Sequence, residues 1–199
     1  MKTLCILFFM LINANVSFTQ CVENSHFKFL EINISKNSKE KGKHISIKSP
    51  RLKTDGLVNI TDDRTVFFMY SKKNRLKILQ EYLYFREDTS VSNKFFIVDG
   101  SSRSRRFQGI TVEIEALFTF SWLLIRDYPK IEPKLYFRET KIPVTKDEDL
   151  KSIFRIYKKY FENLKQNNGK ISYWPLDGTP YCWKGEPFNK EIYLSKSLW

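Results

Sequence analysis

Residues 146–167, KDEDLKSIFRIYKKYFENLKQN, carry the clearest structural pattern in this chain of 199 residues. Apolar side chains recur every three or four positions with charged side chains between them, which is the period of an amphipathic helix. Thr145 is the expected N-cap, because Glu148 follows it at the spacing of a capping box. Gly169 is expected to end the helix. The pattern predicts one helix, whose basic face is either a solvated surface or a docking surface for anions.

Outside this helix the sequence favours strands. Short segments rich in β-branched and aromatic side chains alternate with polar turns, as in antiparallel sheets. Residues 110–125 begin with alternating apolar and polar side chains and then become almost wholly apolar, so a core strand is expected there. Residues 65–70 and 76–85 are expected to pair as a hairpin, although the second arm also fits a short helix. Further predicted strands are residues 27–34, 44–47, 57–60, 94–98 and 134–138.

The N-terminus has the pattern of a secretory signal. Lys2 gives a positive start, and residues 4–12, LCILFFMLI, form an apolar run shorter than the ~20 residues that span a bilayer. Ala14 and Ser17 are small residues that offer cleavage positions. The competing interpretation is a buried first strand or helix of a cytosolic protein. We expect residues 1–20 to be a signal peptide, with the exact cleavage site left open.

Residues 21–199 are long enough for one domain with its own core and too short for two. The predicted fold is α+β, mainly an antiparallel sheet of about six to nine strands with the helix near 146–167 packed on one face. No later apolar run reaches spanning length, so no transmembrane segment is expected in the mature chain. The mature protein is therefore predicted to be a single secreted, β-rich domain.

The cysteines and the glycan acceptor sequons agree with export. Loss of Cys5 with the signal leaves Cys21 and Cys182, and an oxidising compartment favours a disulfide between them. The alternatives are an intermolecular disulfide or two free thiols. Asn33 and Asn59 each begin an Asn-Ile-Ser/Thr acceptor sequence, so both are predicted glycosylation sites.

The chain is strongly basic, with 34 Lys and Arg against 22 Asp and Glu and a formal net charge of +12. Such a charge attracts polyanions without reading sequence. The expected partner is an extracellular protein, an acidic glycan or an anionic surface, and no specific nucleic acid is expected. The candidate contacts are two basic loops, which contain Lys39, Lys41, Lys43, Arg103, Arg105 and Arg106.

Arg103-Ser104-Arg105-Arg106 also fits the R-x-[KR]-R pattern that proprotein convertases cut. Cleavage after Arg106 would give two fragments that the predicted disulfide holds together. The competing interpretation is an arginine-rich surface turn or an anion-binding loop, because charged residues are common at loop tips.

Trp174 and Trp183 flank Cys182 within a segment rich in aromatic residues, proline and glycine. Rings held on stiff loops can serve as binding platforms for sugars or partner side chains. The competing interpretation is that both rings pack over the disulfide and seal the core, because tryptophan is mostly buried.

Enzyme chemistry has little support in the sequence. His26 and His44 are the two histidines, and neither has the partner spacing of a metal or acid-base motif. No nucleophile or phosphate-loop motif is present, so no catalytic residue, metal or cofactor is predicted. The leading hypothesis is a secreted, basic, non-enzymatic binding protein. The alternatives are a secreted hydrolase that uses His26 or His44, and a lipid or small-ligand carrier whose aromatic strands line a cavity.

Overall fold

The computed structural model describes residues 27–34, 42–50, 63–97, 104–107, 109–125, 131–186 and 198. Within these ranges the chain forms four α-helices, one 3₁₀ turn and six short strands. The helices are α1 (Asp63–Met69), α2 (Lys72–Tyr82), α3 (Val112–Trp122) and α4 (Asp147–Gln166), and the 3₁₀ turn is Leu83–Phe85. The strands are β1 (Leu30–Ile34), β2 (Lys43–Ile47), β3 (Phe95–Ile97), β4 (Ser104–Arg106), β5 (Glu132–Phe137) and β6 (Tyr181–Lys184).

The prediction of a fold dominated by one large sheet is wrong. The described strands form three separate antiparallel pairs, β1 with β2, β3 with β4, and β5 with β6. Each pair is short, and the longest elements of the described chain are helices. The predicted strands around β1, β2, β3 and β5 do occur, but they do not join into a sheet of six to nine strands.

The helix predicted from residues 146–167 is confirmed as α4. It begins at Asp147 with Lys146 in the cap position and no side-chain hydrogen bond there, so the expected Thr145 cap is wrong by one residue. Gly169 follows the helix with a φ of 74°, the left-handed conformation that ends helices. Helix α4 packs on α2 and the 3₁₀ turn, and its Tyr157 contacts Trp183 of the short β5–β6 pair, so it does not cover one face of a large sheet. A sheet was expected to pack against this helix because the segment that forms α2 was predicted as a strand.

The predicted hairpin of residues 65–70 and 76–85 is a pair of helices, α1 and α2. The short helix considered for the second arm is therefore the correct alternative. In this arm Ile78, Leu79, Tyr82 and Phe85 are buried. Their spacing of three to four residues is helical, and it outweighs the β-propensity of the individual residues.

The core strand predicted within residues 110–125 is also a helix, α3. Ten of its residues are buried, including Glu113 and Glu115. A helix buried on all sides has no polar face, so the 3.6-residue period does not show in its sequence. The alternation at its start was therefore mistaken for the two-residue period of a strand.

One hydrophobic core joins residues from Phe29 to Leu198. Phe118 of α3 lies among aromatic rings, edge-on to Phe96 at 5.1 Å and to Trp183 at 5.1 Å, and stacked on Trp122 at 5.7 Å. These rings pack against one another between the elements, and the carrier hypothesis stays a prediction. None of the helices in the described ranges is long and apolar enough to cross a bilayer.

Candidate functional site

A groove of about 320 Å³ lies between α4 and the segment formed by α2 and the 3₁₀ turn. Its size is at the lower end of the range for small-molecule sites. Two turns of α4 provide one wall, and residues 80–86 provide the other. We call it the basic groove, and it is lined by Gln80, Leu83, Tyr84, Arg86, Phe154, Arg155, Lys158, Phe161 and Glu162.

The helical period of α4 explains why this wall carries both apolar and cationic side chains. Phe154 and Phe161 are one step of seven residues apart, and both are buried on the face toward the core. Arg155 and Lys158 follow the neighbouring stripe and are exposed. The same helix therefore supplies an apolar floor and a cationic rim.

The rim of the basic groove carries an excess of positive charge. Arg155 and Lys158 form no salt bridge with another residue in the described ranges. Arg86 contacts Glu87 at 3.0 Å, but both side chains are about half exposed, so this pair is weak. Glu162, the acidic residue of the lining, is bridged by Lys165 at 3.0 Å. An anion entering the groove would therefore meet cations whose charge is not neutralised.

Tyr84 is the exposed aromatic residue of the groove, with 61% of its surface accessible. The ring of Phe27 lies behind it, with the two ring centroids 6.3 Å apart. Phe27 in turn stacks on Phe85 at 5.0 Å, and Phe85 is buried. Tyr84 is thus supported from the core while its ring stays open to a ligand.

The predicted basic loops fall only partly within the described chain. Lys39, Lys41 and Arg103 lie outside it. Lys43 begins β2 and forms a salt bridge of 2.9 Å with Asp88, away from the groove lining. Arg105 and Arg106 belong to β4, whose backbone pairs with Phe96 and Phe95 of β3. Cleavage after Arg106 would require this pairing to open, because a protease binds its substrate as an unpaired extended segment.

Trp174 and Trp183 are both fully buried. The indole N–H of Trp174 donates to Glu186 Oε1 at 2.7 Å, and that of Trp183 donates to Tyr157 Oη at 3.0 Å. The structure therefore places both rings in the core, where neither presents a surface to a partner. The disulfide expected beneath them stays a prediction, because Cys21 lies outside the described residues.

The other predicted sites are distributed as follows. Cys182 is buried in β6, and this burial raises the pKa of its thiol. Asn33 lies in β1, where its Nδ2 donates to Ser46 Oγ at 2.7 Å. Asn59 is outside the described residues, so both glycosylation sites stay predictions.

The described residues contain no constellation that resembles a catalytic or metal centre. His44 lies 2.9 Å from Asn93 Oδ1 through its Nδ1, while His26 is outside the described chain. No group of three His, Cys, Asp or Glu side chains suited to a metal occurs within the described ranges. The hydrolase hypothesis therefore gains no geometric support from this part of the chain.

A buried charged cluster was not anticipated from the sequence. Glu115 of α3 is fully buried and accepts hydrogen bonds from Ile45 N at 2.7 Å and Ser92 Oγ at 2.7 Å, with Lys94 Nζ 3.5 Å away. Desolvation raises its pKa to about 7. Its oxygens accept hydrogen bonds from two other segments of the chain, so this cluster stabilises the fold.

Sequence reasoning identified one wall of the groove and missed the other. The basic face of α4 was recognised as a candidate docking surface for anions. Tyr84 was missed because residues 76–85 were interpreted as a hairpin arm, and Arg86, which follows this arm directly, was therefore not expected beside α4. No family model, no curated protein and no solved structure matches this chain. Its function therefore has to be argued from the basic groove itself.

Proposed function

We propose that this protein is a secreted, non-enzymatic binding protein that holds an extracellular polyanion in the basic groove. The observation that carries the proposal is the pair Arg155 and Lys158, exposed on one stripe of α4 above an apolar floor and without salt bridges to described residues. Arg86 faces them from the opposite wall. Three cations around one concavity match a ligand with several negative groups better than they match a neutral one.

The location of the partner rests on the proposed signal peptide. A chain exported without residues 1–20 meets acidic glycans and anionic cell surfaces before it meets nucleic acid. The formal charge of +12 for the full sequence becomes +11 when Lys2 is removed with these residues, and this charge increases the rate of encounter with any of these polymers. The groove supplies a defined place for contact. Attraction of this kind weakens as salt is added, because counterions screen the charges.

The first experiment measures the salt concentration at which the protein elutes from immobilised heparin. We expect the wild-type protein to elute well above physiological ionic strength, about 0.15 M. The double variant Arg155→Glu/Lys158→Glu should elute at markedly lower salt, because two contacts become repulsive. Both side chains are exposed, so the variant is expected to fold normally.

The matched control is Lys134→Glu/Lys170→Glu, which changes the net charge by the same amount at exposed positions outside the groove lining. If binding is localised in the basic groove, this control should retain most of the wild-type affinity. If both double variants lost heparin affinity equally, binding would depend on the overall charge of the protein. That result would contradict the groove as the binding site. Elution of the wild-type protein below physiological salt would contradict polyanion binding itself.

A further inference from the structure

We infer that the ligand of the basic groove is an acidic saccharide, one of whose sugar rings stacks on Tyr84 while its acidic groups contact Arg86, Arg155 and Lys158. This inference rests on the proposed function, because it specifies the class of polyanion. It adds stacking of a sugar ring on Tyr84 to the electrostatic attraction of the groove, and this stacking can be tested separately.

The position of Tyr84 calls for an explanation beyond charge. With 61% of its surface accessible, it exposes a large ring at the mouth of a cavity, while Phe85 beside it is buried. Phe27 contacts this ring, with the two ring centroids 6.3 Å apart. A tyrosine has only two side-chain dihedrals to fix, so a ring held in this way loses little entropy on binding.

The mixture of surfaces in the groove matches the surfaces of an acidic sugar. A pyranose ring has an apolar C–H face and a polar edge, and an acidic saccharide carries carboxylate or sulfate groups on that edge. The face suits Tyr84 and the floor formed by Leu83 and Phe154, and the acidic groups suit the cationic rim. The amide of Gln80, also in the lining, offers both a donor and an acceptor to hydroxyl groups.

Two other polyanions fit this combination less well. A polyphosphate chain has charge but no apolar face, so it would leave Tyr84 and the floor exposed. Single-stranded nucleic acid does stack on aromatic rings, but it typically uses successive rings along a positively charged channel. In the described part of the groove lining, Tyr84 is the ring with a large exposed face, whereas Phe154 and Phe161 expose only 4% and 2% of their surface at the floor.

The test compares three polyanions of similar charge by titration calorimetry: a heparin tetrasaccharide, a linear polyphosphate and oligo-dT. For Tyr84→Ala we expect the tetrasaccharide to bind about tenfold more weakly, the scale of one aromatic contact. Its affinity for polyphosphate should stay within about twofold of wild type, since no ring contact is lost there. Tyr84→Trp should restore saccharide binding, because it retains a flat ring. The control Tyr173→Ala removes a partly exposed tyrosine outside the groove and should change none of these affinities.

The outcomes separate this inference from the function on which it rests. If Tyr84→Ala weakens both ligands equally, or neither, stacking is overturned while polyanion binding stands. If oligo-dT binds as tightly as the saccharide and depends equally on Tyr84, the ligand is a nucleic acid and the inference is overturned. If Arg155→Glu/Lys158→Glu leaves all three affinities unchanged, the proposed function fails as well. The tryptophan variant distinguishes loss of the ring from a change in folding.

Discussion

Glu115 is a single side chain that connects three parts of the fold. Its carboxylate receives the backbone N–H of Ile45 in β2 and the hydroxyl of Ser92, and it lies 3.5 Å from Lys94 Nζ. Lys94 is also paired with Asp63 of α1 at 2.5 Å. The outer edge of β2 is thus covered by carboxylates from two helices, which satisfies backbone donors that would otherwise face the core.

This arrangement predicts how stability depends on pH. Desolvation raises the pKa of Glu115 to about 7, above the value of about 4.3 in an unfolded chain. Between these values the folded protein binds more protons than the unfolded one, so the free energy of unfolding should fall as pH rises from about 4.5 to 7. The shift corresponds to a loss of about 3 kcal/mol over that range. Urea denaturation at a series of pH values measures it.

Glu115→Gln should remove most of this pH dependence. The amide keeps an oxygen for Ile45 N–H and can donate to Ser92, so the variant should fold. The groups that face Glu115 are Lys94, Asp63, Ser92 and the buried Tyr82. The remaining slope should come from the other buried acids, Glu113 and Glu186, whose pKa values burial also raises. A glutamine variant with the full wild-type slope would show that Glu115 is not the titrating group.

At the scale of elements, one pentapeptide shows what local sequence can and cannot decide. Leu-Tyr-Phe-Arg-Glu occurs at residues 83–87 and again at 135–139. The first copy forms a 3₁₀ turn with its arginine exposed in the groove, and the second is mostly strand β5. In the second copy, Arg138 donates to the carbonyl oxygens of Leu176 and Tyr181. Tertiary surroundings select the conformation, so the match is not evidence of a repeated unit.

The elements that were predicted correctly are those with one polar face. Helix α4 has one buried and one exposed face, and strand β2 alternates between buried isoleucines and more exposed polar residues, so their sequences retain the period of their structure. Helix α3 is buried on nearly all sides, and its sequence could not distinguish helix from strand. The same holds for the groove. Arg155 and Lys158 lie on the helix that was predicted correctly, whereas Tyr84 lies in the 3₁₀ turn after α2, whose segment was predicted as a strand.

Leu198, the residue before the last, gives a second prediction about stability. Leu198 is buried, its N–H donates to Gly169 O at 3.2 Å, and its carbonyl oxygen accepts from Arg75 Nη1. Arg75 lies in α2 and also donates to Phe67 O in α1, so the contact joins Leu198 to both helices. Leu198→Ala should lower the free energy of unfolding by about 2–5 kcal/mol, as expected for a buried leucine.

Thermal or urea unfolding checks this expectation, with Ile142→Ala as the control. Ile142 is 58% exposed, so its truncation should cost little. Equal stability of both variants and the wild type would contradict the docking of Leu198.

For the whole molecule, the relevant property is how the net positive charge is distributed between the surface and the interior. The composition gives a net charge of +12, yet three acids, Glu113, Glu115 and Glu186, are buried inside the described chain. Glu115 is paired with Lys94 and Glu186 with Arg138, so these pairs withdraw both signs of charge from the surface, and of the three acids it is Glu113 that adds to the basic excess of the surface. This distribution favours polyanion binding over a balanced surface that would pair its own charges.

The predicted disulfide is also a property of the whole molecule, because it would join the start of the mature chain to β6. Closing a loop of about 160 residues would contribute about 5 kcal/mol in the chain-entropy treatment. Cys182 lies opposite Tyr136 in the β5–β6 pair and is only 2% exposed, so its sulfur is screened from solvent reagents whether or not it is bonded. Resistance of the native protein to alkylation is therefore no evidence for a disulfide.

The informative measurement is iodoacetamide labelling of secreted protein after denaturation without reductant, followed by mass spectrometry. We expect no label on Cys21 or Cys182 until reductant is added, together with a linked peptide in the unreduced digest. A labelled Cys182 before reduction would rule out the bond, and a covalent dimer on a non-reducing gel would assign it to two chains instead of one.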